Sequence, residues 1–371
     1  MRVTSSLTML PNVKTFDTRG ATVAEVPVPM IFCTLFNWLY LPQGIALYRS
    51  LARTVNGEFV LYVLCMDEYS LGALRALGFP NLRPISLAEI ENDALRAVRE
   101  TRTVGEYCWT CTTPLLRHVM EQSPPGAVVS YVDADLRFFS DPSAILSEMG
   151  EGDIFIHEHD FAPEHADLRK TSGRFNVGLV AFRNNAEGHA CLEKWYAQCL
   201  DECVMDPAAG KCGDQNYLDE WPDLYPGLVV STHPGIGLAP WNVTKHRISK
   251  VEGLPMVDDR RVVFYHYHSL SMLRPRFGFK PTAIVSGNYL LGSDVIESIY
   301  EPYVRELWNI ARRLERIGYG VASAVSTVPY VYRGVFKKQI MFQFFGRAVS
   351  PARNARLLSL FYGIDAAREM Q

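Results

Sequence analysis

Nowhere does the sequence hold an apolar run approaching the roughly 20 residues that a membrane-spanning helix needs. It also lacks blocks of like charge and any basic excess. Against 37 Lys and Arg stand 40 Asp and Glu, a net charge of -3, which argues against nucleic acid as a partner. The first residues, "MRVTSSLTMLPNVKTFDTRG", have no compact apolar core and no small-residue cleavage site, so no secretory leader is expected. No internal repeat of about 20–50 residues and no low-complexity tract is present. The eight cysteines lack ribbon-like spacing and read as reduced thiols of a cytoplasmic protein. Cys108 and Cys111 form a C-x-x-C, and Cys199, Cys203 and Cys212 follow later; a structural zinc site built from these is the weaker reading. What is present is the profile of a soluble globular protein, 48% hydrophobic and 21% charged over 371 residues. That length suits one large α/β domain or two smaller ones.

After a Thr-, Val- and Pro-rich lead-in over residues 1–28, apolar runs alternate with segments of helical period. "PMIFCTLF" and "EFVLYVLCMD" read as buried strands, and "LRPI" as a short one. Between them, "PQGIALYRSLARTV" begins with proline suited to a first helical turn, and "YSLGALRALGF" stops at Gly78. "SLAEIENDALRAVRE" is expected as a helix opened by the capping box Ser86-x-x-Glu89. "TTPLLRHVMEQ" is expected as another, capped by Thr113 with Pro114 at its first position. The strand "AVVSYVDAD" follows. This alternation predicts a mostly parallel sheet, whose ligands sit beyond the carboxyl ends of its strands. Later, "GDIFIHEHD", "FNVGLVAFR", "GLVV" and "RRVVFYHYHSL" read as strands, "AEGHACLEKWYAQCLDEC" as an amphipathic helix, and residues 295–317 as the best late helix.

The strand "AVVSYVDAD" ends on two carboxylates, Asp133 and Asp135. On an extended chain residues i and i+2 share a face, so both can address one cation. Such like charges repel unless neutralised, and carboxylate oxygens suit Mn²⁺ or Mg²⁺. A surface turn is the plain alternative. Further ligands are sought in "VFYHYHSL", where His266 and His268 share a face at a strand end. "HEHDFAPEH", with His157, His159 and His165, reads mainly as a polar loop. In "GDQNYLDEW" Asp214 is either an ordinary helix N-cap or, with Gln215, half of an acceptor–donor set for sugar hydroxyls. Asn176 is a polar residue entering an apolar strand and needs a partner.

In order, these motifs resemble the nucleotide-sugar glycosyltransferases of the GT-A fold, family 8, the glycogenin and lipopolysaccharide galactosyltransferase type. "TLFNWLYLPQGIALYRSL" looks like that family's first strand and helix, and "YVDADLRFFSDP" like its D-x-D segment. "FNVGLVAFR" matches its F-N-x-G, "GDQNYLD" its D-Q, and "FYHYHS" its late H-x-x-G with Ser269 in place of glycine. The family's lysine-proline-tryptophan after the late histidine is missing; "LAPWN" stands before it. The resemblance spans roughly residues 30–270 and marks a distant branch.

The resemblance implies a Rossmann-like, mostly parallel central sheet flanked by helices over residues 29–285; from about Ser286 the residue pattern itself turns helical and predicts a mainly helical C-terminal extension over 286–371. The resemblance implies that Asp133 and Asp135 hold Mn²⁺ or Mg²⁺ with His266 as third ligand and His268 as fallback. Thr34, Asn37 and Ala134 would join them around the nucleotide, while Asn176, Asp214 and Gln215 would meet the donor sugar or acceptor. The reaction implied is transfer from a nucleotide-diphosphate sugar, UDP-sugars favoured, to a glycan or lipid-linked acceptor, with a retaining mechanism carried over by analogy only. A non-catalytic sugar- or nucleotide-binding protein is the alternative. A haloacid-dehalogenase-type phosphatase also uses D-x-D, but Arg137 stands where its motif has Thr or Val. Between Val331 and Leu360, Arg333, Lys337, Lys338, Arg347, Arg353 and Arg356 occur with interleaved phenylalanines and no acidic residue. Helices packed on the domain would explain them, as would a peripheral contact with anionic lipid at the inner face of the membrane.

Overall fold

The computed structural model describes residues 29–273, 282–285, 289 and 291–320, with the backbone of 343–344 and 347–348. The lead-in and nearly all of the basic C-terminal segment therefore lie outside the described residues.

The chain begins with β1 (Met30–Phe36), α1 (Leu41–Thr54), β2 (Phe59–Cys65), α2 (Glu68–Leu77) and β3 (Leu82–Ser86). Asp67 caps α2 through Ser70 N–H (2.7 Å), and Gly78 ends it in the left-handed conformation, φ 58°. The segment after β3 is not one helix but two, Leu87–Ile90 and Asp93–Arg99. The Ser86 capping box forms, yet Asn92 accepts Leu95 N–H at 2.9 Å and starts a second helix. Helix α3 (Thr112–Glu121) starts before Thr113, with Cys111 at its N-cap. There follow β4 (Val128–Val132), β5 (Leu136–Phe138), β6 (Ile154–Glu158), β7 (Phe175–Arg183) and α4 (Ala186–Asp201). β8 (Leu228–Val230), β9 (Phe264–His266) and α5 (Glu301–Arg316) complete the elements that matter here.

Seven strands form the central sheet in the order β8-β6-β7-β4-β1-β2-β3. β1 runs parallel to β2 and β4, β2 to β3, and β8 to β6; β7 alone is antiparallel to its neighbours β4 and β6. This is the mostly parallel, helix-flanked architecture expected. Nearly every residue of β1 and β7 is buried, because helices cover both faces and leave no side for polar residues. One face packs Phe32, Leu61 and Val63 against α1 and α5, whose Tyr303, Leu307 and Ile310 belong to the same core. The other packs Cys33, Val129 and Phe182 against α3 and α4, centred on Trp195. The late helix is thus built into the domain's core.

The β3-β2-β1-β4 half has the doubly wound order. The chain leaves β1 for β2 on one side, and β4 lies on the other. The crevice beyond the carboxyl ends of β1 and β4 is the topological switch point, where such sheets bind their ligands.

Candidate metal centre

At that switch point the strand does not run on through Asp135. Leu136 N–H donates to the Asp133 carbonyl at 3.1 Å and closes a four-residue turn. The two carboxylates converge as first and third residues of a turn, not by alternation along a strand as the sequence suggested. Asp133 N–H donates to the Gly178 carbonyl of β7 at 2.9 Å, which anchors the turn at its start. Beyond the turn, β5 pairs antiparallel with β9, setting His266 opposite Leu136. Tyr267 N–H donates to the Asp135 carbonyl at 3.0 Å. This pairing delivers His266 Nε2 to 3.3 Å from Asp135 Oδ1 and 3.8 Å from Asp133 Oδ2.

One ligand atom from each of Asp133, Asp135 and His266 lies within 4.8 Å of the other two, the single such trio among the described residues. The side chains are 33%, 16% and 6% exposed, so the trio opens on the Asp133 side. Burial lifts the Asp133 carboxyl above its ordinary range, and the neighbouring Asp135 charge adds to that, against the pull of His266. Burial works the same way on Asp135, but the contact with His266 outweighs it and holds Asp135 low. His266 would be lowered by burial, yet Asp135 and Asp133 hold it above the usual imidazole value. Two carboxylates and one imidazole fit Mn²⁺ or Mg²⁺. The cysteines do not compete: all are free thiols, and burial pushes Cys108 up to about 11 and Cys65 up to about 12.

Asn37 lies just past β1, where its side chain accepts Leu39 N–H at 3.0 Å. Tyr40 follows, 45% exposed, its hydroxyl pushed up by partial burial and by the charges of Asp135 and Asp133. Thr34 lies deeper, fully buried within β1 with an unpartnered hydroxyl. Ala134 is the buried second residue of the turn. His268 is exposed, whereas His266 is buried, although both rings meet Trp241, with centroids 5.3 Å (His266) and 5.4 Å (His268) away.

Asp214 holds the N-cap position of the short helix Gln215–Glu220 without capping it. Its side chain makes no capping bond, it is 5% exposed, and Oδ2 has no partner. Burial and the Asp133 charge push its carboxyl up to about 8. Gln215 Nε2 donates to the Ser172 carbonyl at 3.0 Å, and Asn176 Nδ2 donates to Gln215 Oε1 at 3.2 Å. The "HEHDFAPEH" segment is no polar loop: His157, His159 and His165 are all buried, His157 within β6. Two supporting residues escaped sequence reasoning. Tyr131 donates its hydroxyl to Asp133 Oδ1 at 2.9 Å, and Trp195 Nε1 donates to the Asp214 carbonyl at 2.9 Å. Tyr131 reads as one more apolar strand residue, and Trp195 as core, so neither left a signal.

Sheet order and site together define an α/β protein with an Asp-Asp-His cluster at the switch point of a Rossmann-like sheet. No family model matches the sequence. The uncharacterized protein YfnF of Bacillus subtilis (strain 168) is 32% identical over 290 residues, covering 75% of this chain and 89% of YfnF. YfnD of the same organism is 29% identical over 278 residues, 74% of this chain and 88% of YfnD. The chain belongs to the family of YfnF. Among solved structures it is similar to the galactosyltransferase LgtC in complex with donor and acceptor sugar analogs: 12% identity, 82% of this chain and 99% of that one, TM-score 0.45. Mouse xyloside xylosyltransferase 1 is 16% identical over 65% of this chain and 98% of its own, TM-score 0.40. The glycosyltransferase GlyE of Streptococcus pneumoniae TIGR4 is 14% identical over 79% and 64%, TM-score 0.43.

Proposed function

We propose that the protein is a metal-dependent glycosyltransferase, moving a sugar from a nucleotide-diphosphate sugar to a glycan or lipid-linked acceptor. The observation that carries this reading is the convergence of Asp133, Asp135 and His266 at the switch point of the sheet. Mn²⁺ or Mg²⁺ held there would neutralise the charge that grows on the departing diphosphate. The chain's own residues do the rest. Asn37, Ala134 and the exposed Tyr40 line the carboxyl ends of β1 and β4 and bind the nucleotide, a UDP-sugar in the favoured case. Thr34 supports that wall from inside the sheet. Asp214, buried and with a free carboxyl oxygen, meets a sugar hydroxyl. In this reading the anomeric centre reacts with retention, the acceptor attacking on the face the diphosphate leaves.

The test is a donor-hydrolysis screen across UDP-, GDP- and other nucleotide sugars with Mn²⁺. Turnover of one donor, lost in Asp135→Asn, is the expected result. Metal-dependent binding of a nucleoside diphosphate without turnover would favour the non-catalytic alternative; no binding at all would sink both.

A membrane contact is a separate reading, favoured by one feature of α5. Its Arg305, Arg312, Arg313 and Arg316 are exposed, and it leads toward the basic segment 331–360. No helix among the described residues is long and apolar enough to cross a membrane. Co-sedimentation with anionic liposomes, full-length chain against one ending near Thr327, tests the contact. Equal partitioning would end the idea.

A further inference from the structure

The amide of Asn176 has every hydrogen-bonding position in use. Gly178 N–H donates to its Oδ1 at 3.0 Å, and a backbone N–H can only donate, so the atom it faces is the oxygen. His266 Nδ1 faces that same oxygen at 3.3 Å and therefore carries a proton. With Nδ1 protonated, Nε2 is the nitrogen left to ligate, and Nε2 is the atom aimed at Asp135 and Asp133. On the other side, Asn176 Nδ2 donates to Gln215 Oε1 and to His159 Nε2, both at 3.2 Å. Gln215 Nε2 is in turn tied to the Ser172 carbonyl and to Cys212 Sγ, each at 3.0 Å. One backbone N–H thus orients a chain of side chains that ends on the imidazole. Gly178 is what permits the approach. A Cβ there would lie 2.5 Å from Asn176 Oδ1 and 2.8 Å from His266 Nδ1.

We propose that Asn176 is a positioning residue. It holds His266 in the Nδ1–H tautomer and points Nε2 into the cation site, with Gln215 and His159 locking its amide. It is saturated and spends no hydrogen bond on sugar. Outer-shell partners of ligating histidines act in this way elsewhere. The proposal rests on the reading of Asp133, Asp135 and His266 as a metal site.

The experiment titrates the full-length protein with Mn²⁺ alone, without nucleotide, following the free-Mn²⁺ EPR signal. Asn176→Ala should weaken binding by about 10- to 100-fold. Gly178→Ala, which changes no ligand, should weaken it as well. Asn176→Asp keeps the acceptor for both N–H groups and should retain most of the affinity. Imidazole ¹⁵N spectra of the protein loaded with diamagnetic Mg²⁺ should report Nδ1–H at His266 in the wild type and a mixture of tautomers in Asn176→Ala. A folded Asn176→Ala that binds Mn²⁺ like the wild type while its donor KM alone rises would overturn the proposal and make Asn176 a sugar contact. Should Asn176→Ala fail to fold, unweakened Mn²⁺ binding by Gly178→Ala, or wild-type tautomer populations in it, overturns the proposal equally. Asp135→Asn separates the two levels. Its loss of binding beside an unaffected Asn176→Ala sinks only the positioning role, whereas a wild type that binds no Mn²⁺ sinks the metal site itself.

Discussion

His157 and His266 belong to neighbouring regions and are equally hidden, 2% and 4% exposed, yet their electrostatic fates are opposite. Around β6, burial dominates, reinforced by the charge of His266 and only partly opposed by backbone hydrogen bonds. It drives His157 down to about 4 and His159 down to about 3, and leaves His157 Nε2 and His159 Nδ1 without partners. Around the Asp133–Leu136 turn the same burial is outweighed by two carboxylates, and His266 rises. Burial makes a neutral core histidine; carboxylates at 3.3 and 3.8 Å make a candidate ligand.

The largest expected effect falls on the turn. Asp135→Asn should cut Mn²⁺-dependent donor turnover on the order of 100-fold or more, while His157→Gln should stay within a few-fold of the wild type. Comparable losses in both would erase the distinction between the regions. Next comes the pair His266 and His268. Isothermal titration with Mn²⁺ should show His266→Ala weakened at least about 10-fold and His268→Ala little changed. The reverse order would make His268 the ligand.

The third effect is acid stability. A histidine whose folded pKa lies below its unfolded value of 6.5 resists protonation in the native state. Its contribution is intact above pH 6.5 and is lost as pH falls from there to about 4, the value for His157. Thermal melts of His157→Gln across that window should therefore fall less steeply than those of the wild type. Parallel slopes would mean that His157 already charges in the folded protein. The smallest effect lies in the scaffold, at the end of the edge strand β3. Ser86→Ala removes a capping box and should cost about 1 kcal/mol in urea unfolding, with donor turnover unchanged. A change in turnover would tie that helix to the crevice.

Most strands of the sheet were legible because a strand covered on both faces must be apolar throughout, and "MIFCTLF" and "FNVGLVAFR" are. Helix ends marked by Gly78 and Ser86 were legible for the same local reason: their signals act within a turn of the chain. The misreadings share a cause. Asn92 split a helix by a capping bond that competes with helical period, and "VDAD" turned because Gly178 and β9 pull on its two ends. His157 and His159 looked polar and are buried, since nothing local says what β9 and Trp241 will lay over them.

By itself the sequence determined the α/β layering and supplied two carboxylates where a strand stops, because period and residue type are local properties. Only the tertiary structure set His266 rather than His268 beside the two carboxylates, turned its Nε2 toward them, and buried Asp214 without a capping bond. Those choices depend on distances between residues far apart in the chain, and on how much water is left around them once the chain has folded.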